Sequence, residues 1–232
     1  MGRHAMNLLF FDTETYCETP ITYGTHRYAE DAEIIMWQWA IDDGPVQISE
    51  TLTPELRELL EFIARQPADY TDAQLDALFS RPRTRIVTHN SAFDRTVLRH
   101  AAKLDIPVEN WHDTMVQAMA HGLPGGLGIL CEIFKISVDK AKDKAGKDLI
   151  QLFCKPRPQN SKLRRATKAT HPEKWAQFLG YGGLDVEAMR EIYRKLPKWN
   201  YNPDGTPGSA GKREFDMWCL DQRINDRGVC VD

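Results

Sequence analysis

Asn7-Leu-Leu-Phe-Phe-Asp-Thr-Glu-Thr15 is the stretch that decides how this chain is to be read. Leu8 and Phe10 fall on one side of a period-two ladder and Leu9 and Phe11 on the other, so both faces are apolar, as in a strand buried inside a sheet. Asp12 and Glu14 end the apolar run and point the same way in an extended chain, with Cα atoms about 6.6 Å apart at about 3.3 Å per residue. Two carboxylates at the mouth of a buried strand repel each other by about 4 kcal/mol at about 4 Å and an effective dielectric of about 20. A divalent cation between them removes that cost. A lone Asp-x-Glu at a strand end more often simply reaches solvent, so the companions of this pair decide its meaning.

Two further stretches supply them. Arg85 to Thr88 reads as a short buried strand, followed at once by His-Asn-Ser-Ala-Phe-Asp94. Asn90 or Ser91 can cap a helix whose apolar positions Phe93, Val97, Ala101 and Leu104 recur at helical spacing, with Asp94 in its first turn. Later, His171-Pro172-Glu173 begins a helix with Trp175, Phe178 and Leu179 on its apolar side. The group Tyr181-Gly-Gly-Leu-Asp185 then opens a packed helix continued by Val186, Met189, Ile192, Tyr193 and Leu196. Tyr181 and Asp185 are four apart and share a helix face, while Gly182 and Gly183 each cost about 1 kcal/mol relative to alanine in a helix interior. Asp12, Glu14, Asp94 and Asp185 are thus each delivered to a strand end or a helix start. In-line displacement at phosphorus by water needs such a set, with two divalent ions about 4 Å apart clamping the attacking and leaving oxygens. Oxygen-only ligands select Mg²⁺ or Mn²⁺ over zinc.

The rest of the chain sets the frame. Its 232 residues are 42% hydrophobic and 27% charged, with a formal net charge of -3, which argues against indiscriminate coating of nucleic acid. No apolar run is long enough to span a membrane and no signal peptide is visible, so a cytoplasmic protein is expected. Cys17, Cys131, Cys154, Cys219 and Cys230 have neither zinc-site spacing nor a secreted disulfide pattern and read as free thiols. Residues 1–6 have no pattern of their own and read as a cloning remnant. Residues 16–30 read as an ordered loop, and Ala32 to Ile41 as a strand returning through Asp42-Asp43-Gly44-Pro45 into a strand over Val46 to Ser49. Pro54 starts a helix lined by Leu56, Leu59, Leu60 and Ile63, and another helix follows from Thr71 to Phe79. Asp113-Thr114 opens a helix that Leu123-Pro124-Gly125-Gly126 breaks, and Lys140 to Lys147 reads as helical or mobile. Between Lys155 and Lys174 seven basic residues face the single acid Glu173, in a loop that is either a solvated face or a holder of phosphates. Residues 200–211 read as a turn-rich linker, followed by a helix with Phe215, Trp218, Cys219 and Ile224 near one face. Residues 228–232 read as a strand just beginning.

Phe-Asp-Thr-Glu-Thr at 11–15, Asn-Ser-Ala-Phe-Asp at 90–94 and Tyr-Gly-Gly-Leu-Asp at 181–185 resemble the three motifs of DEDD-type 3′-5′ exonucleases, tyrosine subclass. Their order and separation are similar to those of the proofreading domain of family A DNA polymerases, especially those of bacteriophages. The resemblance covers about residues 7–196, within an exonuclease domain expected over 7–199, with 212–232 resembling the truncated start of a polymerase domain after the linker. It implies an α/β, RNase H-like fold, a mixed β-sheet flanked by helices. It implies that Asp12, Glu14 and Asp185 hold the ion that activates water, and that Asp12 bridges to a second ion with Asp94 held to it through water. The two ions are Mg²⁺, with Mn²⁺ able to substitute. Tyr181 orients the attacking water with Glu14, and Thr15 and Asn90 contact the terminal nucleotide. The implied partners are a single-stranded DNA 3′ end and the polymerase domain of a parent chain, the domain itself being a monomer in the cytoplasm of a host cell if phage-encoded. The double glycine before Asp185 departs from the family pattern and implies a tyrosine free to swing away from the site. The rival readings are an exoribonuclease of the same superfamily, for which the RNA 2′-hydroxyl is the discriminating contact, and a non-catalytic nucleic-acid-binding module, which predicts a missing acid.

Overall fold

The computed structural model describes residues 6–67, 70, 72–79, 81–137 and 140–228, with the backbone alone described at 72, 73, 76 and 140–145. Residues 229–232 of the expected strand start, and residues 1–5 of the remnant expected over 1–6, therefore lie outside the described residues.

The central strand is β1 (Asn7–Tyr16). After a 3₁₀ turn at Ile21–Tyr23 comes α1 (Thr25–Asp31), then β2 (Glu33–Ile41) and β3 (Gln47–Ser49). Helices α2 (Pro54–Ala64) and α3 (Asp72–Phe79) lead to β4 (Thr84–Thr88), α4 (Ser91–Val97) and the short β5 (Trp111–Asp113). Then follow α5 (Thr114–Ala120), α6 (Leu127–Ile133), α7 (Lys140–Phe153), α8 (Pro172–Lys195) and α9 (Ala210–Arg227). The strands form one sheet in the order β3-β2-β1-β4-β5, with β1 antiparallel to β2 and parallel to β4, and β4 parallel to β5. This mixed sheet flanked by helices is the RNase H-like arrangement. No described helix is long and apolar enough to cross a membrane.

Both faces of β1 are buried, as its period-two pattern demands. Leu9 and Phe11 enter a large core with Trp37, Trp39, Leu60, Ile86 and Trp111, while Phe10 packs on the other side with Ala40, Val87, Val186 and Met189. Asp12 and Glu14 continue the Phe10 face, the one that α8 covers. The β1–β2 register shifts between Glu14 and Thr15 because Ile35 of β2 is the extra residue. Such a bulge increases the local twist at the acidic end of β1.

Four readings need correction. Residues 16–30 are not a loop throughout: α1 occupies Thr25–Asp31, seven residues that bury only Tyr28 and Ala29 and so show no apolar period. The strand Trp111–Asp113 is too short to show alternation and was not expected. Tyr181 does not open a new helix, because α8 runs unbroken from Pro172 to Lys195. Its glycines admit the sheet: a Cβ on Gly182 would lie 2.5 Å from Met36 Sδ and 3.0 Å from Gln38, and one on Gly183 3.3 Å from Val46. Residues 200–211 are packed rather than free. Tyr201 is fully buried, Arg85 makes a two-oxygen ion pair with Asp204 at 2.7 Å, and α9 sends Phe215, Trp218 and Cys219 into the main core, although Ile224 faces solvent.

Candidate functional site

Three carboxylates meet where the end of β1 faces α8. Asp12, Glu14 and Asp185 each present an oxygen within 4.8 Å of the others, so one ion could be held by all three. Asp12 and Glu14 are half-buried and Asp185 is exposed, which leaves the cluster open on the α8 side. Asp94 is almost fully buried and accepts a 2.7 Å hydrogen bond from Thr13 Oγ1, the residue between the two strand acids. It lies outside the group of three but close enough that its charge acts on Asp12.

The electrostatics follow from crowding acids in a poorly solvated place. Burial, then the charges of Asp94, Glu14 and Asp185, hold the Asp12 carboxyl well above its ordinary value. Burial pushes Glu14 up to about 7, against a hydrogen bond from Cys154 that pulls it down and with help from Asp185 and Asp94. Burial likewise pushes Asp94 up to about 7, opposed by the Thr13 hydrogen bond and assisted by Asp113. An all-oxygen set whose members resist ionisation together suits a hard divalent cation, which would relieve the repulsion that raises them.

Asp94 is delivered differently from the way its helix start suggests. Asn90 adopts a left-handed conformation (φ 74°, ψ 56°) and makes no side-chain cap. Asp113, at the end of β5, accepts instead from the Ser91 amide at 2.7 Å, from Ser91 Oγ at 2.7 Å and from the Asn90 amide at 3.2 Å. The same carboxylate caps α5 through the amides of Met115 and Val116. Two helix starts are thus pinned to one acid, which fixes the turn that carries Asp94.

Two cavities adjoin the cluster and share Glu14. One, of about 280 Å³, is lined by Asp185 and Tyr181 one helical turn before it, with Cys131, Ile150 and Phe178. The Tyr181 ring packs on the α7–α8 cluster and lies 3.7 Å from where a Cβ on Gly146 would be. The other, of about 500 Å³, has Thr13, Glu14 and Thr15 at one end and Tyr28, Phe93, Ile150 and Pro156 along its walls. Thr15 Oγ1 hydrogen-bonds the Tyr28 hydroxyl at 2.7 Å, and Asn90 lines neither cavity.

Sequence reading missed three lining residues. Tyr28 lay in the supposed loop, and Phe93 carried a helical apolar period that disguised it as core. Cys154, just past α7, donates from its buried thiol to Glu14 Oε2 at 3.4 Å, and no spacing rule could have found it. Burial and the Glu14 charge push this thiol upward, so it remains a protonated donor.

A family model described as a 3′-5′ exonuclease matches residues 11–199. A DNA polymerase of Bacillus phage SP02 is 31% identical over 233 residues, covering 98% of this chain and 32% of the phage protein. The chain thus spans about one third of that relative's length. Among solved structures, Brucella melitensis NrnC aligns over 96% of this chain and 86% of its own, with 15% identity and a TM-score of 0.46. The same protein bound to pGG gives 14% identity over the same shares and a TM-score of 0.48.

Proposed function

This chain belongs to the 3′-5′ exonuclease family of A-type DNA polymerases, and we propose that it removes nucleoside monophosphates from single-stranded DNA 3′ ends by metal-dependent hydrolysis, as the proofreading part of a longer polymerase chain. The observation that carries this reading is the junction at Glu14, where a nucleotide-sized cavity meets the carboxylate cluster and Tyr181.

Asp12, Glu14 and Asp185 would hold Mg²⁺, for which Mn²⁺ could substitute, and Asp12 with Asp94 would serve a second ion. When bound, the ions lower the pKa of the attacking water and neutralise charge on the attacking and leaving oxygens. The chain's own residues do the rest. The apolar walls of the larger cavity, Tyr28, Phe93 and Ile150, take the terminal base and sugar and exclude water from them. Thr15, held by Tyr28, positions the terminal nucleotide in that cavity, and Asn90, outside its lining, contacts the nucleotide from the start of α4. Tyr181 and Glu14, on the walls of one cavity, orient the attacking water. As the water oxygen bonds to phosphorus, the bond from phosphorus to the 3′ oxygen of the preceding nucleotide breaks. The domain acts as a monomer in the cytoplasm, of a host cell if phage-encoded.

The test is digestion of 3′-labelled and 5′-labelled single-stranded DNA, and of the matching RNA, with Mg²⁺, Mn²⁺ or EDTA, beside Asp12→Ala. Metal-dependent release of mononucleotides from the DNA 3′ end, absent in the variant, is expected. Folded protein that cleaves nothing with either metal would leave the binding-module reading in its place, and preference for the RNA strand would make the enzyme an exoribonuclease.

A further inference from the structure

The basic run from Lys155 to Lys174 sorts into two sets once folded. Arg164 pairs with Glu18 at 3.7 Å, Arg165 with Glu33 at 2.6 Å and Lys168 with Glu50 at 2.7 Å, while Arg165 also lies 4.1 Å above the Tyr16 ring. These cations fasten the loop to β1, β2 and the segment after β3. Arg157 and Lys174 make no ion pair among the described residues, and both line one open cavity of about 440 Å³ between the end of α7 and the start of α8. Asp148 is the acid in that wall, so the lining carries an excess of one positive charge.

The cavity is not isolated. It shares Gln151 and Pro156 with the 500 Å³ cavity that ends at Glu14, and Lys155 stands in the wall of the latter. From the carboxylates outward the surface therefore runs from an apolar-walled chamber, past Lys155, to a more open basin with Arg157 and Lys174 on its walls and the amides of Gln151 and Gln177 beside them. Successive apolar and cationic stations suit a single strand, whose bases need apolar walls and whose phosphates need cations.

We propose that the basin lined by Arg157 and Lys174 binds backbone phosphates of a single-stranded nucleic acid upstream of the nucleotide lodged at Glu14. This rests on the nucleic-acid reading of the same site. It assigns the seven-cation run a division of labour: paired cations hold the loop, unpaired ones hold the strand.

Binding separates this proposal from the nuclease reading. The probes are a 5′-fluorescein-labelled dinucleotide and decanucleotide of DNA, with binding read by fluorescence anisotropy in EDTA, where no cleavage occurs. Arg157→Ala/Lys174→Ala should weaken decanucleotide binding about tenfold and dinucleotide binding little. The slope of log affinity against log salt should become shallower by about 1.4, from about 0.7 for each of two phosphates on a single strand. Arg157→Lys/Lys174→Arg, which preserves charge, should retain most of the affinity, and circular dichroism verifies that each variant is folded. Unchanged decanucleotide binding, equal weakening of both probes, or a charge-preserving variant as weak as the alanine one would each overturn the proposal. The predicted length dependence in a protein that cleaves nothing would uphold the basin and remove the nuclease reading.

Discussion

At the scale of residues, the site's acids are held where ionising them is costly. The folded Glu14 carboxyl keeps its proton up to about 7 against an ordinary 4.5, so its favourable contribution is complete below the unfolded value and is lost as pH rises through 7. His112, which burial holds down to about 3, works oppositely, gaining as pH rises toward its ordinary 6.5. The whole-protein curve mixes the two, and substitution separates them. In metal-free urea melts, Glu14→Gln should stabilise by about 1–2 kcal/mol more at pH 8 than at pH 4.5, allowing for partial solvent screening. An equal effect at both values would mean that the site is already well solvated. On activity, Asp12→Ala and Asp185→Ala should each lower kcat by about a thousandfold or more while leaving the fold intact by circular dichroism. Tyr181→Phe should cost about a hundredfold or less, since a water lacking one of its holders still has Glu14.

At the scale of elements, α8 matters most, because it carries Tyr181 and Asp185 and must lie close to the sheet to bring Asp185 to β1. The double glycine that departs from the family pattern has this physical cause: at Gly182 the space for a Cβ is already taken by Met36 and Gln38 of β2, both fully buried. Gly182→Ala should destabilise by about 1–3 kcal/mol through overpacking. Gly180→Ala, in the same helix but with nothing within 4 Å of the added carbon, should instead stabilise by up to about 1 kcal/mol. Chemical denaturation of the two variants side by side checks the pair, and two losses of similar size would show that helix continuity rather than close approach is what the glycines serve.

At the scale of the whole molecule, the matched family region stops at residue 199, yet the core does not. Arg95, buried beside Asp94, donates to Asp226 of α9 at 2.7 and 3.1 Å and to Gln222 at 3.0 Å, and Arg99 adds a 3.0 Å contact to Asp226. Burial tends to raise the Asp226 carboxyl, but the hydrogen bonds from Arg95 and Arg99 outweigh it and hold it below its ordinary value. The last described helix thus braces the one that delivers Asp94. Asp226→Ala, which leaves Arg95 buried without its ionic partner, should cost about 3 kcal/mol in a urea melt. Ending the chain at residue 199 strips Tyr201, Phe215 and Trp218 from the main core and should prevent cooperative thermal unfolding. A truncated chain melting like the full one would show α9 to be an appendage.

The sequence by itself determined the central strand, the acids at its end and the order of the three motifs. These depend on short-range facts, namely period-two alternation around Leu9 and Phe11 and a four-residue step from Tyr181 to Asp185. It likewise sufficed for the helix over Pro54–Ala64, where Thr53 and Pro54 announce the start, and for the loop character of residues 155–170. Tertiary structure decided what depends on partners far away in the chain. Asp113 rather than Asn90 secures the turn before Asp94, Cys154 reaches Glu14 across 140 residues, and α1 and β5 are too short to show a period. Whether a lysine or arginine of the basic run is spent on a carboxylate or left for a phosphate depends on which acid the fold brings beside it, and charge order along the chain does not encode that.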